Sequence, residues 1–331
     1  MDILANKLIL VTGGAGFIGS NLVETLLASG SRVVVLDNFS TGRRENLATF
    51  AGNKNFTLIE GDIRDYECCA KAVSQVDYVL HQAALGSVPR SIKDPMATTA
   101  VNVSGFVNML FAAQAAGIKR FVYASSSSVY GDIDSLIKQE DKIGKPLSPY
   151  AISKCVDEMY AANFGKLYGI ECIGLRYFNV FGPRQDATSS YSAVIPKFVS
   201  AMLKHQAPII NGDGSNSRDF TYVKNVVEAN MLALTATNPA AVDKVYNVGC
   251  GSRTTLNELY KILQDILGCS DPEAGRLEPQ YGPNRPGDVP HSLASIELAR
   301  ELLGYNPQYN VRQGLELATD WYIKQFENNM L

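Results

Sequence analysis

The chain has 331 residues, a formal net charge of −3 and a charged fraction of 19%, values that are ordinary for a folded soluble protein. The slightly acidic balance gives no reason to expect nucleic acid as a partner. No uninterrupted run of about 18 apolar residues occurs, and the N-terminus is not apolar enough for a signal peptide, so we expect a cytoplasmic protein without a membrane span. The six cysteines form no Cys-x-x-Cys pair and accompany no histidine cluster, which predicts free thiols and no metal site.

The first predicted elements are a strand, a glycine-rich loop and a helix. Residues 7–12 are rich in β-formers, residues 13–19 read Gly-Gly-Ala-Gly-Phe-Ile-Gly, and a helical pattern follows as far as Gly30. This order is typical of dinucleotide binding, because the glycines let the backbone approach a pyrophosphate at the N-terminus of the helix. A second strand, residues 32–36, runs into Asp37, whose carboxylate can accept hydrogen bonds from the adenosine ribose and would repel a 2′-phosphate. The pattern therefore predicts NAD, rather than NADP, as the cofactor.

The alternation of strands and helices continues through the first half of the chain. Further strands are predicted over residues 56–59, 76–80, 121–123 and 170–176, and an apolar stretch over 97–116, interrupted by polar residues, is predicted to be a core helix. Repeated β-α-β units favour a parallel sheet with helices on both faces. We therefore predict an α/β, Rossmann-type doubly wound parallel sheet.

Polar residues follow several of these strands, where ligands bind in a doubly wound sheet. Asp62 follows the third strand and could reach an adenine amino group, although an exposed turn also explains it. His81 and Gln82 follow the fourth strand, and His81 is expected to be structural. Four serines, residues 125–128, follow the fifth strand and offer hydroxyls to a phenolate or a sugar, although a serine run is also a common loop.

The helix predicted to begin at Ser148 carries the clearest chemical signal. Ser148 and Pro149 suit the N-cap and the first helical position, so Tyr150 lies in the first turn and Lys154 lies one turn later on the same face. A lysine ammonium, the positive end of the helix dipole and a bound cofactor cation would together stabilise a phenolate, which is a general base. Alone, a Tyr-x-x-x-Lys match is also an ordinary pair on an exposed helix.

After residue 180 the pattern changes to helices separated by loops rich in glycine, proline and asparagine. We predict an NAD-binding domain over residues 1–180 and a smaller C-terminal α/β domain over 181–331, mainly for substrate, with some chain crossing back to the sheet. Helices are predicted over residues 192–204, 224–237, 255–267, 293–303 and 311–326. Loop residues in this half suit a diphosphate, although each arginine is equally explained as solvated surface: Lys197, Asn211, Arg218 and Arg285.

Five motifs occur together in the order and spacing of one enzyme family. They are residues 12–19, Asp37-Asn38, Ser125-Ser126, Tyr150-x-x-x-Lys154 and Arg176-Tyr-Phe-Asn179. By these motifs the chain resembles an extended short-chain dehydrogenase/reductase over essentially its full length. Within that family it is most similar to the UDP-sugar 4-epimerases.

Two positions resemble the epimerase subgroup that prefers N-acetylated sugars. Gly86 stands where UDP-galactose 4-epimerases typically carry lysine, and Ser292 stands where strict ones often carry a bulky tyrosine. The resemblance therefore implies reversible, NAD-dependent C4 epimerisation of UDP-GlcNAc and UDP-GalNAc, with UDP-Glc and UDP-Gal as further candidates, through a transient 4-keto intermediate. It also implies a homodimer, commonly formed through a four-helix bundle that the helix over residues 148–168 could join.

The resemblance assigns roles to individual residues. It implies that Tyr150 takes the proton of the sugar 4-hydroxyl, that Lys154 stabilises the phenolate and binds the nicotinamide ribose, and that Ser126 hydrogen-bonds the 4-oxygen. The implied NAD contacts are Gly13, Gly16, Phe17, Ile18, Asp37, Asn38, Ser40, Gly42, Asp62, Ile63, Gln82, Tyr150 and Lys154. The implied substrate contacts are Ser87, Ser126, Ser127, Tyr150, Asn179, Tyr191, Val194, Lys197, Asn211, Arg218, Arg285, Asp288 and Ser292.

Two alternatives remain beside the epimerase interpretation. Sister enzymes of the same family, the 4,6-dehydratases and UDP-glucuronate decarboxylases, typically carry carboxylates where this chain has serines 126–128, and a dehydratase needs one for elimination. A non-catalytic NAD-binding protein is the second alternative. The presence of both Tyr150 and Lys154 argues against it.

Overall fold

The protein is described by a computed structural model that covers residues 2–186, 193–283 and 290–328. Its strands are β1 (Leu8–Thr12), β2 (Arg32–Asp37), β3 (Phe56–Glu60), β4 (Tyr78–His81), β5 (Arg120–Ser126), β6 (Ile137–Lys138), β7 (Glu171–Tyr177), β8 (Val180–Phe181), β9 (Ile209–Asn211), β10 (Ser217–Arg218), β11 (Thr221–Tyr222), β12 (Lys244–Val248), β13 (Thr254–Thr255), β14 (Gln280–Gly282) and β15 (Leu293–Ala294). Its α-helices are α1 (Phe17–Ala28), α2 (Tyr66–Ala72), α3 (Val88–Lys93), α4 (Pro95–Thr99), α5 (Phe106–Ala115), α6 (Pro149–Tyr168), α7 (Val194–Leu203), α8 (Val223–Thr235), α9 (Leu256–Gly268), α10 (Glu297–Leu303) and α11 (Val311–Glu327).

Seven of the described strands form one parallel sheet in the order β12-β7-β5-β4-β1-β2-β3. β1 pairs with β2 on one side and with β4 on the other, so the direction of strand addition reverses between β1 and β4. Helices cover both faces, as parallel pairing requires. The predicted α/β, Rossmann-type doubly wound fold is therefore confirmed. The edge strand β12 comes from the C-terminal half of the chain and pairs with β7.

Neighbouring residues of the central strands enter two separate apolar cores. Val11 and Val33 lie in the core that contains residues of α1 and α8, whereas Leu10 and Val34 lie in the core that contains residues of α5 and α6. All four side chains are buried, and full burial of each such side chain stabilises the fold by about 1.5–3 kcal/mol. Because these strands are buried on both faces, they appear in the sequence as continuous apolar runs.

One helical stretch within the described ranges, Pro95–Ala115, has the length and apolarity that a membrane span would need. It includes a π-helical segment, Ala100–Gly105, between α4 and α5. Phe106, Met109 and Leu110 are buried in the core between this stretch and the sheet. This packing agrees with the predicted core helix, since a core helix satisfies the same criteria as a span.

Two of the predicted boundaries are wrong because of long-range contacts. The strand predicted over residues 76–80 begins only at Tyr78, because the Asp77 carboxylate accepts a hydrogen bond from the Leu8 backbone N–H at 2.7 Å. The helix predicted over residues 293–303 begins only at Glu297, because Leu293 and Ala294 form β15 and pair with β6. In both cases a long-range contact, which local periodicity does not report, sets the boundary.

Candidate active site

One cavity of about 410 Å³ lies along the carboxyl edge of the sheet. Its wall is formed where β1, β2, β3, β4, β5 and β7 end, which is the edge at which doubly wound sheets bind ligands. All of the NAD contacts implied by the sequence line this cavity, although they come from separate parts of the chain. They are Gly13, Gly16, Phe17, Ile18, Asp37, Asn38, Ser40, Gly42, Asp62, Ile63, Gln82, Tyr150 and Lys154.

The glycine loop forms a close backbone cradle between β1 and α1. Gly13 has a φ of +66°, and a Cβ at this position would lie 2.8 Å from the backbone of Ala83. A Cβ at Gly19 would lie 2.2 Å from the Gly13 carbonyl oxygen. Side chains are therefore excluded where α1 begins, and the free N–H groups of its first turn can face a diphosphate.

Asp37 ends β2 with its carboxylate held by backbone donors. Its Oδ2 accepts a hydrogen bond from the Ala15 N–H at 2.9 Å, and its Oδ1 accepts one from the Phe39 N–H at 2.8 Å. Burial raises the pKa of Asp37, and the two N–H groups oppose that rise. The side chain thus links the glycine loop to β2 and keeps further oxygen lone pairs for ribose hydroxyls.

Asp62 is paired with the loop residues around it. It accepts hydrogen bonds from Asn38 Nδ2 at 2.8 Å and from the Arg64 guanidinium at 2.7 Å. The Arg64 hydrogen bond is the main reason that the pKa of Asp62 falls to about 2. Asp62 therefore stays ionised at neutral pH on the cavity wall, where the sequence predicts the adenine.

The start of α6 has the geometry that its sequence predicts. Ser148 is the N-cap and its hydroxyl accepts a hydrogen bond from the Ala151 N–H at 3.1 Å, while Pro149 occupies the first helical position. Tyr150 and Lys154 both line the cavity. The helix thus presents the phenol and the ammonium to the same space.

Lys154 is buried and already partly bonded within the protein. It is 2% exposed, and its Nζ donates to the Ala124 carbonyl oxygen at 2.9 Å and to Asp157 Oδ2 at 3.1 Å. Burial alone would lower the pKa of Lys154, but the charges of Asp157 and Tyr150 outweigh it and raise the pKa. Lys154 is therefore an ammonium with one N–H left for a ligand.

The serines at positions 125 and 126 differ in their hydrogen bonds. Ser125 lines the cavity, but its hydroxyl donates to Glu158 Oε1 at 2.5 Å. Glu158 in turn forms a buried ion pair with Arg176 at 2.8 Å. Ser126 accepts a hydrogen bond from the N–H of Ser128 at 3.2 Å, which leaves its own hydroxyl proton free to be donated. Ser126 and Ser127 are not among the residues that line this cavity.

A buried polar cluster lies behind the end of β4. The Tyr177 hydroxyl donates to Gln82 Oε1 at 3.0 Å, and the Gln82 amide donates to Asn230 Oδ1 at 3.1 Å. His81 is 2% exposed and hydrogen-bonds Thr12 Oγ1 at 2.9 Å, and burial lowers its pKa to about 3. His81 is thus a neutral structural residue, as expected, whereas Tyr177 is a cavity residue to which the sequence assigned no role.

Arg218 and Ser292, two implied substrate contacts, lie on adjoining segments. The Ser292 N–H donates to the carbonyl oxygen of Ser217, the residue before Arg218, at 3.2 Å. The Arg218 guanidinium donates to the Pro290 carbonyl oxygen at 3.0 Å. Hydrogen bonds therefore join two segments that are more than 70 residues apart in the chain. One segment carries Arg218, a predicted diphosphate contact, and the other carries Ser292, a predicted sugar contact.

The other implied substrate contacts are more scattered. Asn179 has a φ of +33°, and its side-chain amide donates to the Asp219 carbonyl oxygen at 3.1 Å. Ser87 is the N-cap of α3, Val194 and Lys197 lie on the first turn of α7, and Asn211 ends β9. Neither these five residues nor Arg218 and Ser292 line the cavity. Tyr191, Arg285 and Asp288 lie outside the described residues.

The cavity also has basic residues that the sequence interpretation did not assign. Arg43, Arg90 and Arg184 line it. Arg43 pairs with Asp186 at 2.5 Å, and Arg184 pairs with Glu24 on α1. Arg43 and Arg184 could not be assigned from sequence, because each reaches the cavity only through the tertiary fold.

Residues 9–249 match the sequence profile described as the NAD dependent epimerase/dehydratase family. The chain belongs to this family. Its cofactor is NAD, and the side-chain-free cradle formed by Gly13 and Gly19 fits the diphosphate of that cofactor.

Three known proteins match this chain over nearly their full lengths. The chain is 39% identical over 316 residues to a putative UDP-glucose 4-epimerase of Methanocaldococcus jannaschii, covering 95% of this chain and 98% of that protein. It is similar to the solved structure of a UDP-N-acetylglucosamine 4-epimerase from Methanobrevibacter ruminantium in complex with UDP-N-acetylmuramic acid, at 38% identity and a TM-score of 0.90, covering 97% and 99% of the two chains. It is also similar to a UDP-glucose 4-epimerase of Thermus thermophilus in complex with NAD, at 36% identity and a TM-score of 0.82, covering 96% and 99%. These likenesses support nucleotide-sugar 4-epimerase chemistry for this member of the epimerase/dehydratase family.

Proposed function

We propose that the chain interconverts UDP-GlcNAc and UDP-GalNAc by inverting the configuration at C4, and that UDP-Glc and UDP-Gal are secondary substrates. In this proposal residues 1–180 mainly hold NAD and residues 181–331 mainly hold the UDP-sugar. The support comes from the family, from the cavity chemistry and from two small residues near the predicted sugar.

The chemistry follows from the two residues on α6. Tyr150 takes the proton of the sugar 4-hydroxyl, because a phenolate beside the Lys154 ammonium is stabilised by the opposite charge. NAD, when bound, supplies the acceptor for the hydride of C4. Ser126, whose hydroxyl proton is free, donates to the 4-oxygen. Lys154 uses its remaining N–H for the nicotinamide ribose, and Arg218 anchors the diphosphate while the 4-keto sugar rotates. C4 then regains the hydride on its opposite face, and Tyr150 returns the proton to the 4-oxygen.

The observation that carries the N-acetyl assignment is the small size of Ser292 and Gly86. The Ser292 backbone N–H bonds the carbonyl oxygen of Ser217, so Ser292 adjoins the strand that carries Arg218, the residue that we assign to the diphosphate. Gly86 lines the cavity, and a Cβ built at this glycine has no atom within 4 Å. The open space beside Gly86 suits an N-acetyl group in both orientations of the rotating sugar.

The serines at positions 126–128 argue against the sister activities. A 4,6-dehydratase needs a carboxylate for elimination, and neither β5 nor the turn after it, Ser127–Tyr130, carries one. The purified protein should therefore be incubated separately with UDP-GlcNAc, UDP-Glc and UDP-glucuronate, and the products identified by NMR. UDP-GalNAc as the main product supports the proposal. A pentose product, a 4-keto-6-deoxy product or turnover of UDP-Glc alone would contradict it.

We also propose a homodimer formed through α5 and α6. Ile152, Met159 and Leu167 recur at helical spacing on α6 and are exposed, and Phe111 is exposed on α5, which packs beside α6. Phe164, in contrast, is buried in the core of the protomer. Pairing this stripe with a second copy would form a four-helix bundle and cover the apolar side chains.

Light scattering tests the dimer directly. Met159→Glu should convert the dimer to a monomer, because a charge would then lie in the apolar bundle. Ile209→Glu, which alters an equally exposed apolar residue on β9, is the matched control and should leave the mass unchanged. A monomeric unmodified protein would contradict the proposal.

A further inference from the structure

A buried carboxylate on α6 contacts Lys154 and has no role in the chemistry described so far. Asp157 is 0% exposed, and its Oδ2 accepts a hydrogen bond from Lys154 Nζ at 3.1 Å. Its Oδ1 receives no hydrogen bond from any described residue. Buried carboxylate oxygens are normally all hydrogen-bonded, whereas the Lys154 ammonium is the one hydrogen-bonding partner of Asp157 among the described side chains.

The lysine ammonium is shared between groups with different tasks. One N–H is donated to Ala124 and one to Asp157, so the carboxylate fixes the direction of the third. The negative charge of Asp157 also offsets part of the positive field that Lys154 exerts on Tyr150. Because the pair is buried, solvent screens this effect only weakly.

We propose that Asp157 is a positioning residue that orients Lys154 and whose negative charge limits how strongly Lys154 stabilises the Tyr150 phenolate. The inference rests on the proposed role of Tyr150 as the base. It means that the carboxylate and the phenolate compete for one ammonium, so each ionises less readily when the other is charged. Burial raises the pKa of Asp157 above the ordinary value for a carboxyl group, although the Lys154 ammonium opposes that rise.

The groups around the pair do not duplicate Asp157. Glu158 is bonded to Ser125 and Arg176, and its charge adds to the rise in the pKa of Asp157. His81 faces Lys154 from β4 but is neutral, since burial and the lysine charge lower its pKa. The stretch Pro95–Ala115, which packs on α6, contains no titratable side chain. The remaining titratable groups lie on α6 itself and on the elements that pack against it. They are Cys155, Tyr160, Lys166 and Tyr168 on α6, Arg120 and Tyr123 on β5, Tyr130 on the turn after it, Glu171, Cys172 and Tyr177 on β7, and Arg90 and Lys93 on α3.

The test is an ultraviolet titration of the NAD-loaded protein, in which the phenolate signal of Tyr150 is isolated by subtracting the same protein with Tyr150→Phe. Asp157→Asn and Asp157→Ala both remove the charge but differ in shape. We expect the midpoint of the Tyr150 signal to fall by about one pH unit in both variants. The acid limb of the pH profile of kcat/KM should move to lower pH by the same amount. A purely structural role predicts no common shift.

The chain provides a matched control in a second lysine–aspartate pair. Lys7 and Asp77 are also 3.1 Å apart but lie at the amino edge of the sheet, so Asp77→Asn should leave both readouts unchanged. An unchanged midpoint in both Asp157 variants would overturn the inference. If neither variant folds, the unmodified protein still decides, because competition broadens its phenolate titration beyond a one-proton curve and a one-proton curve would contradict it. No Tyr150 signal near neutral pH would instead overturn the proposed base.

Discussion

The NAD region and the sugar region of this protein are built in different ways. The residues that we assign to NAD end or follow strands β1 to β4 or lie on helices α1 and α6, and all of them line a single cavity. Among the residues that we assign to the UDP-sugar outside this cavity, Ser87 caps a helix, Val194 and Lys197 begin another, and Asn211 and Arg218 lie on strands of three and two residues. Arg218 and Ser292 adjoin each other only because β10 contacts a segment more than 70 residues away.

This difference explains which properties each region controls. The carboxyl edge of a parallel sheet brings successive loops together whatever their sequence. We therefore expect the proposed NAD contacts and the base to act in the same way on every UDP-sugar that binds. Short strands and loops can change without disturbing the sheet, so they are suited to choosing the sugar. Changes at Tyr150 should therefore affect all substrates equally, whereas changes at Ser292 should discriminate between them.

The largest effect is expected for Tyr150→Phe. This change removes the hydroxyl that we assign as the base and keeps the ring, so kcat should fall by about 10²–10⁴-fold for every UDP-sugar. NAD content and thermal stability, measured on the same sample, should be retained. Activity near that of the unmodified protein would exclude Tyr150 as the base.

Ser292→Tyr should separate the two substrate pairs. The ring would fill the space that we assign to the N-acetyl group, so turnover of UDP-GlcNAc and UDP-GalNAc should be lost while UDP-Glc and UDP-Gal remain substrates. Ser292→Ala is the control of similar size and should keep all four activities. Equal loss of both pairs with Ser292→Tyr would remove Ser292 as the gate.

Asp37→Ala should weaken NAD by about 10–100-fold, because hydrogen bonds to a charged group are lost. The ratio of the affinities for NADP and NAD should rise, since the charge that repels a 2′-phosphate is gone. Isothermal titration with both cofactors measures the ratio. Asp37→Asn removes the charge but keeps one acceptor oxygen for the Ala15 or Phe39 N–H, so it should disturb the loop less than Asp37→Ala does. Equal affinity for NAD and NADP in the unmodified protein would exclude the assignment.

The smallest effect is expected for Asp62→Asn. The folded-state pKa of Asp62 is about 2, below the ordinary 3.8, so its ion pair with Arg64 stabilises the fold above pH 4 and loses that contribution as pH falls toward 2. The pair is partly exposed, and we expect a loss of less than about 1 kcal/mol at pH 7. Denaturant unfolding at several pH values gives the free energy of unfolding of the unmodified protein and of Asp62→Asn. The difference between these two free energies should become smaller below pH 4. A difference that grows with acidity would mean that another group causes it.

The sheet and the NAD cavity could be predicted from sequence because both depend on local signals. Apolar runs marked the buried strands, and residues 13–19 with Asp37 marked the cofactor edge. The basic residues Arg43 and Arg184 could not be assigned, since only the tertiary fold brings them to the cavity. The contact between Asp157 and Lys154 could have been predicted from sequence, because a spacing of three residues places both side chains on one face of α6.

β12 is the last strand of the main sheet to be synthesised, yet it covers the edge of β7. Until residues 244–248 emerge from the ribosome, β7 presents a row of unpaired backbone N–H and C=O groups that can recruit other chains. Parallel pairing across such a long connection is also slow, because the loop must close before the contacts form. A chain that ends soon after residue 180 would retain the glycine loop and Tyr150, but the edge of β7 would stay unpaired. We therefore expect nascent chains to need a chaperone at this stage and truncated chains to aggregate.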